Sequence, residues 1–379
     1  MKMNVSIISF GKFHSFDLAR ELKSNNMNIS LYSSYPYFIS KKYNIKYSEH
    51  YSFFILQLID RITGRRFSNL LIYLFSYLLS FSLKSNQDFF IIWSDIPNFL
   101  LKFIRKKYNS IVILERGSSH IEHQNKLLKE EYQRFNKNFS ISKKTINNEL
   151  KNYADADYIS IPSKFSYKSF ISHNISKTKL IVNPYGSDIS KFFKKSVKRD
   201  KKFTIMTCGK ASIQKGFHYL LDSYKYINKD FIHVHVGSVE DIFINKIKSI
   251  KNLKIYDSVN HEKLVNFYNM SDVFILPSIQ DGFGMVILEA MSCGIPIIAT
   301  ENTGITSISS FSDFGFAIKI KDPKEIAEKI NYLISNPLKR HEMSECCQKA
   351  ILKKGYKWED YGTRYYFNLK KVLELYQQR

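Results

Sequence analysis

The run Ile279–Thr300, IQDGFGMVILEAMSCGIPIIAT, decides the fold. With the preceding VFILPS it reads as strand, glycine turn, helix and second strand, the unit from which parallel sheets are built. Gly282 and Gly284 flank Phe283 in the turn and let the backbone approach a ligand closely. The amides of Gly284, Met285 and Val286 fall at the helix start, where unpaired N–H groups and the dipole favour an anion such as phosphate. Two carboxylates, Asp281 and Glu289, stand on either side of that start. Carboxylates do not bind phosphate, so they must face hydroxyls. A ligand with hydroxyls on both sides of a diphosphate is a nucleotide sugar, with ribose at one end and a hexose at the other. Taken singly, Asp281 reads as a solvent-exposed turn residue and Glu289 as a capping glutamate; the pair around one turn carries the argument.

Outward from this run, strand-like segments alternate with helical ones along nearly the whole chain. NVSIISF, NISLYSS, DFFIIWS, SIVILE, DYISIP and KLIVNP form a first series, and FTIMTC, FIHVHVG, LKIYD, VFILPS and PIIAT a second. The pattern predicts an α/β fold of two Rossmann-like, doubly wound domains facing a cleft. Residues 1–185 form the first, 186–202 a Lys-rich linker, 203–357 the second, and 358–379 a terminal helix. A length of 379 residues agrees with two cores rather than one. Ligands of such sheets sit beyond the carboxyl ends of the strands.

Charge and composition limit the function further. The formal charge is +23. Residues 1–185 hold 27 Lys and Arg against 13 Asp and Glu (net +14), and residues 186–379 hold 30 against 21 (net +9). Such charge attracts nucleic acid, anionic lipid or phosphorylated ligands, although a chain so rich in Lys, Asn and Ile also carries the stamp of an AT-rich genome. No helix-turn-helix, RRM or zinc signature supports a nucleic-acid-binding protein. The four cysteines, Cys208, Cys293, Cys346 and Cys347, make no C-x-x-C pair and fit a reducing cytoplasm. The chain opens without a signal-peptide pattern. The most apolar stretch, Asn69–Leu83, is shorter than the ~20 residues that span a bilayer. It reads as a buried helix in preference to a membrane-surface one.

A second site stretch, TCGKASIQKGFHYLLDSY, places Lys210 at a strand end and Lys215 before Gly216. Both can neutralise a diphosphate without a metal. Together GKASIQKG and DGFGMVILEAMSCGIPIIAT resemble the retaining GT-B glycosyltransferases of family 4. ADADYISIPSKF, VNPYGSDISKFF, NMSDVFILPS and KWEDYGTRYYFNLKKVLELY follow in the family's order. The resemblance is strong over the second half and loose over the first. It implies sugar transfer from a nucleoside diphosphate sugar to a glycan or lipid-linked acceptor, with retention and front-side attack, and with no cofactor and no metal. Asp281 and Glu289 would bind donor sugar and ribose, and Lys210 and Lys215 the diphosphate. Asp281 and Lys210 depart from the family's usual Glu and Arg, and Gly11 stands alone where two glycines are common. The terminal helix would cross back onto the first domain.

The acceptor should lie in the first domain. The family's loop histidine matches His120, with His123 its rival; a lone histidine is more often structural. His14, at a helix start beside Gly11, is a further candidate for a substrate hydroxyl, as are Glu115 and Arg116. Asp155–Asp157 matches the D-x-D metal motif but falls between a helix and a strand, and no metal is assigned. Enzymes of this kind serve capsule, O-antigen and lipopolysaccharide synthesis, so a peripheral cytoplasmic protein on an anionic membrane surface is expected. The rivals are a nucleotide-sugar epimerase or glycan phosphorylase of the same fold.

Overall fold

The computed structural model describes residues 2–197, 202–353 and 355–378. Lys198–Lys201 of the expected linker lie outside the described residues, as do Lys354 and Arg379 of the segments that follow. Two parallel sheets dominate. The first contains β1 (Asn4–Ser9), β2 (Asn28–Ser33), β3 (His50–Ser52), β4 (Phe89–Trp93), β5 (Ile111–Glu115), β6 (Tyr158–Ile161) and β7 (Leu180–Val182), in the order β3-β2-β1-β4-β5-β6-β7. The second contains β8 (Phe203–Cys208), β9 (Phe231–Val236), β10 (Leu253–Tyr256), β11 (Val273–Leu276), β12 (Ile297–Thr300) and β13 (Gly315–Ile318), in the order β10-β9-β8-β11-β12-β13. Each sheet changes direction of winding beside its first strand, β1 or β8. That switch point is where a ligand crevice opens.

The central strands are apolar on both faces because helices cover both. β4, β5, β11 and β12 are buried along their whole length. The terminal helix Trp358–Gln377 leaves the second domain and lies on the first. Tyr361, Tyr365, Leu369 and Val372 are its buried stripe, spaced at helical intervals. Arg364 ties it back through Asn183 Oδ1 (3.2 Å) and the Pro184 carbonyl (2.7 Å).

The expectation of a buried helix at Asn69–Leu83 is corrected. The helix forms at Ser68–Ser82, but only Leu71, Phe75, Ser76 and Leu79 are buried. Phe75 packs edge-on to Phe10 and Phe53, while Leu70, Tyr77 and Phe81 face outward. The residues are apolar all round; the sheet needs only one stripe of them. No described helix is long and apolar enough to cross a membrane.

Candidate active site

The cleft between the sheets encloses about 740 Å³. A polar basin of about 710 Å³ lies among Asn4, Asn28 and Gln87, at the amino ends of the strands, the end that α/β sheets do not use for ligands. The cleft sits at the carboxyl ends.

On the second domain, the Met285–Ser292 helix points its amino end into the cleft. Gly284 is its N-cap at φ +77°, a left-handed conformation, and a Cβ there would meet Leu276 Cδ2 at 2.5 Å. Met285 and Val286 line the cleft, with their amides at the helix start. Lys215 pairs with Asp281 Oδ2, and the amide of Phe283 reaches Asp281 Oδ1 at 3.4 Å. A diphosphate at the helix start would draw Lys215 away from Asp281 and free that carboxylate for a sugar hydroxyl. Glu289 lies one turn into the helix and accepts a hydrogen bond from Tyr268 at 2.9 Å. Burial pushes its carboxyl up to about 7, against the pull of the Tyr268 hydroxyl. Cys208 also reaches the cleft; burial and the Glu289 charge push its thiol up to about 12, which leaves it a poor nucleophile.

Lys210 is exposed and stands outside the cleft lining, one residue past Gly209. Gly282 stands at the domain contact, outside the cleft lining. A Cβ on it would fall 1.9 Å from the Gly117 carbonyl oxygen, and its own carbonyl accepts from Ser163 Oγ at 2.5 Å. Phe283 is buried against Tyr185 of the first domain, with ring centroids 5.4 Å apart.

On the first domain, β4 and β5 end at the cleft. Glu115, at the end of β5, is 1% exposed and bonds His14 Nε2 at 3.1 Å and the Tyr365 hydroxyl at 3.0 Å. Trp93 and Tyr185 flank the His14 imidazole at 5.1 and 4.4 Å between centroids. One terminal-helix residue thereby helps hold a cleft histidine. Arg116 is paired with Glu149 at 3.1 Å and donates to Gln124 at 2.8 Å, so its charge is already met within the domain. Gly11 does not line the cleft; the ring of Phe13 covers it. Phe13 itself reaches in, at φ +38° and stacked 6.4 Å from Trp93. A bulky residue at positive φ is strained, and such strain gathers at functional sites.

The structure puts His14, and neither His120 nor His123, in the cleft lining. His120 is 1% exposed and caps the Ile121–Gln133 helix, its Nδ1 accepting from the Glu122 amide at 3.3 Å. Its ring lies among Tyr153, Phe170 and His173; burial, then His173, push its pKa down to about 3. His123 contacts Phe165 and His173.

Sequence reading missed Phe13, Trp93, Asp95, Glu149, Tyr185 and Trp358, all of which line the cleft. Asp95 had a signal: it follows Trp93 at the end of a central strand. It opens onto the cleft but is walled by protein, and desolvation pushes its carboxyl up to about 6.

Asp155 and Asp157 have structural partners. Asp155 accepts from Asn98 at 2.8 Å, and Asp157 takes Arg105 at 2.7 Å and the Val112 amide at 2.8 Å. Among the described residues one other group, His120, Glu122 and His173, gathers metal-type atoms within 4.8 Å. The two imidazoles are stacked at 4.2 Å and 17°, so their in-plane lone pairs run side by side rather than converging.

Comparison with known proteins agrees with this architecture. Residues 188–350 match the model of the family "Glycosyl transferases group 1". The chain is 27% identical over 237 residues to the capsular polysaccharide biosynthesis glycosyltransferase CapM of Staphylococcus aureus, covering 56% of this chain and 62% of that one. The chain thus spans about three-fifths of that relative's length. Sucrose-phosphate synthase from Thermosynechococcus elongatus has the same fold, with a TM-score of 0.74 at 13% identity over 99% of this chain and 100% of that one. Anabaena HepE, solved in complex with UDP-glucose, follows with a TM-score of 0.69 at 15% identity, covering 97% and 100%. Residues 188–350 thus resemble the glycosyl transferases group 1, and the whole chain takes a GT-B fold.

Proposed function

We propose that the protein moves a sugar from a nucleoside diphosphate sugar to a hydroxyl of a glycan or lipid-linked acceptor, with retention at the anomeric carbon, in bacterial surface polysaccharide synthesis. One observation carries the reading. The amino end of the Met285–Ser292 helix opens into the same cleft as Lys215, Asp281 and Glu289, opposite His14 and Asp95. The helix start and Lys215, helped by Lys210 if it swings in from the rim, would stabilise the departing diphosphate. Asp281 would hold donor-sugar hydroxyls and Glu289 the ribose. His14 and Asp95 would orient the acceptor hydroxyl, whose proton leaves on the departing phosphate in front-side attack.

CapM acts in capsular polysaccharide biosynthesis by its name, which supports the surface-polysaccharide setting. The charge excess of the first domain supports work at an anionic membrane surface. The lysines supply the cationic charge that a metal would otherwise bring, so turnover is expected to survive EDTA. A thermal-shift screen against nucleotide sugars, UDP-glucose first, tests the reading through mass action. A melting temperature that rises with one of them supports it, and no shift with any member of the panel rejects it.

A further inference from the structure

The helices Phe54–Ile62 and Ser68–Ser82 form a hairpin on the first domain, and its outer face is apolar. Ile62 is 75% exposed, Phe81 74% and Leu70 65%; Ile55, Leu58 and Tyr77 join them on the surface. Isolated exposed apolar residues are ordinary, but a contiguous set on one hairpin marks an interaction face. Its electrostatics name the partner. Arg61, Arg65, Arg66 and Lys84 are all exposed around it. Between Glu49 and Asp88 the sequence has one acid, Asp60. That acid is buried, with Ser68 Oγ donating to it at 2.5 Å. The face therefore shows solvent apolar, neutral polar and cationic groups, and no exposed carboxylate. An apolar face rimmed by cations complements an anionic bilayer, into which the rings and aliphatic chains can dip while the guanidinium groups meet phosphates.

A second observation links this face to the cleft. Behind the Ser68–Ser82 helix, against the Lys143–Asp155 helix, lies a cavity of about 130 Å³. Asn69 and Tyr73 line one side, and Lys144, with its ammonium 4.7 Å from the Tyr73 ring centroid, lines the other. Its inner wall is made by Ser94, Asp95 and Glu149, which also line the cleft. The cavity thus lies between the hairpin and the acceptor side of the cleft, sharing a wall with the cleft and lined by one cation, Lys144.

We propose that the hairpin is the membrane-docking face, and that the cavity behind it receives the phosphorylated head of a lipid-borne acceptor from an anionic bilayer. This rests on the transfer reading above and adds to it the route by which the acceptor arrives. Lys144 would hold the lipid phosphate, and Asp95 would meet the first acceptor hydroxyl.

Full-chain protein is co-sedimented with phosphatidylcholine vesicles with or without phosphatidylglycerol. Binding is expected on the anionic vesicles, falling as salt screens the attraction. The double variants Ile62→Ser/Phe81→Ser and Arg65→Ser/Arg66→Ser should each lower it about tenfold or more. These residues are exposed, so melting temperature and nucleotide-sugar thermal shift should match the wild type. Wild-type protein that stays in the supernatant at low salt overturns the docking face, as do variants that sediment like the wild type. A wild-type dimer that Ile62→Ser/Phe81→Ser converts to a monomer would assign the face to a second copy and overturn it too.

For the cavity the probe is farnesyl phosphate, titrated calorimetrically. It should bind the wild type and bind Lys144→Ala about tenfold more weakly. Equal affinity for the two proteins, or inorganic phosphate binding as well as farnesyl phosphate, overturns the lipid-head assignment. The transfer reading stands or falls separately on the nucleotide-sugar shift, which the vesicle assay does not use.

Discussion

Glu289 places a proton equilibrium in the cleft. Its carboxyl is raised from 4.5 to about 7 by burial. The folded protein therefore keeps a proton that the unfolded chain loses near 4.5. The resulting stabilisation is complete below that value and is lost as pH rises through 7. In the proposed reaction a ribose hydroxyl would donate to the ionised form, so ligand binding would favour the opposite state. Donor affinity should rise between about pH 6 and about pH 8, while the melting temperature of the free protein falls over the same window. Glu289→Gln should flatten both curves; calorimetry and melting scans across that range check it. At this scale the sequence was informative where the site is contiguous. Asp281, Gly284, Met285, Val286 and Glu289 belong to one turn and helix whose local geometry follows from the glycines. The histidine was not legible in the same way. His14 and His120 both stand at helix starts, and what separates them is packing: His14 opens onto the cleft and bonds Glu115, whereas His120 turns into a nest of Tyr153, Phe170 and His173.

Among the elements, the terminal helix Trp358–Gln377 has more than a structural place. Its Tyr365 donates to Glu115, and Glu115 holds His14. Tyr365→Phe leaves the buried Glu115 short of one donor, a loss of about 1–3 kcal/mol. The melting temperature should drop, and kcat/KM should fall further than nucleotide affinity, because the donor half of the cleft is untouched. A variant with wild-type kcat/KM would mean that the helix only packs. The terminal helix and the long hydrophobic strands were legible from apolar spacing. Two of the four edge strands were not: His50–Ser52 has three residues, none of them aliphatic, and Gly315–Ile318 has four, opening on glycine. The Ser68–Ser82 helix misled in another way. Its composition is apolar on every face, so the pattern could not show which stripe the sheet would take.

For the whole molecule, the two domains are held together by a polar cluster around Glu131. This carboxylate of the first domain accepts from His218 at 3.0 Å and Tyr219 at 2.6 Å, and pairs with Lys321 at 3.0 Å, all in the second domain. Burial alone would raise its pKa, but those three donors win and hold it at about 2. The contribution to closure is complete above 4.5 and is lost as pH falls from there toward 2. Glu131→Gln should open the cleft at neutral pH, seen as a larger radius of gyration in solution scattering, and should remove the acid dependence. Gly282→Ala should open it as well, because a Cβ cannot fit against Gly117. Neither contact was legible in the sequence, since both join residues more than 80 positions apart.

The central claim is that a nucleoside diphosphate sugar binds at the start of the Met285–Ser292 helix, between Lys215 and Glu289. The most direct measurement is isothermal titration of the nucleotide sugar that gives the largest thermal shift, against wild type, Lys215→Ala and Glu289→Ala. Each variant loses a charged hydrogen-bonding partner of the ligand worth about 1.5–3 kcal/mol. The account predicts a Kd roughly ten- to 150-fold weaker in each, with both variants folded. Wild-type affinity in both folded variants would place the nucleotide elsewhere and contradict the account.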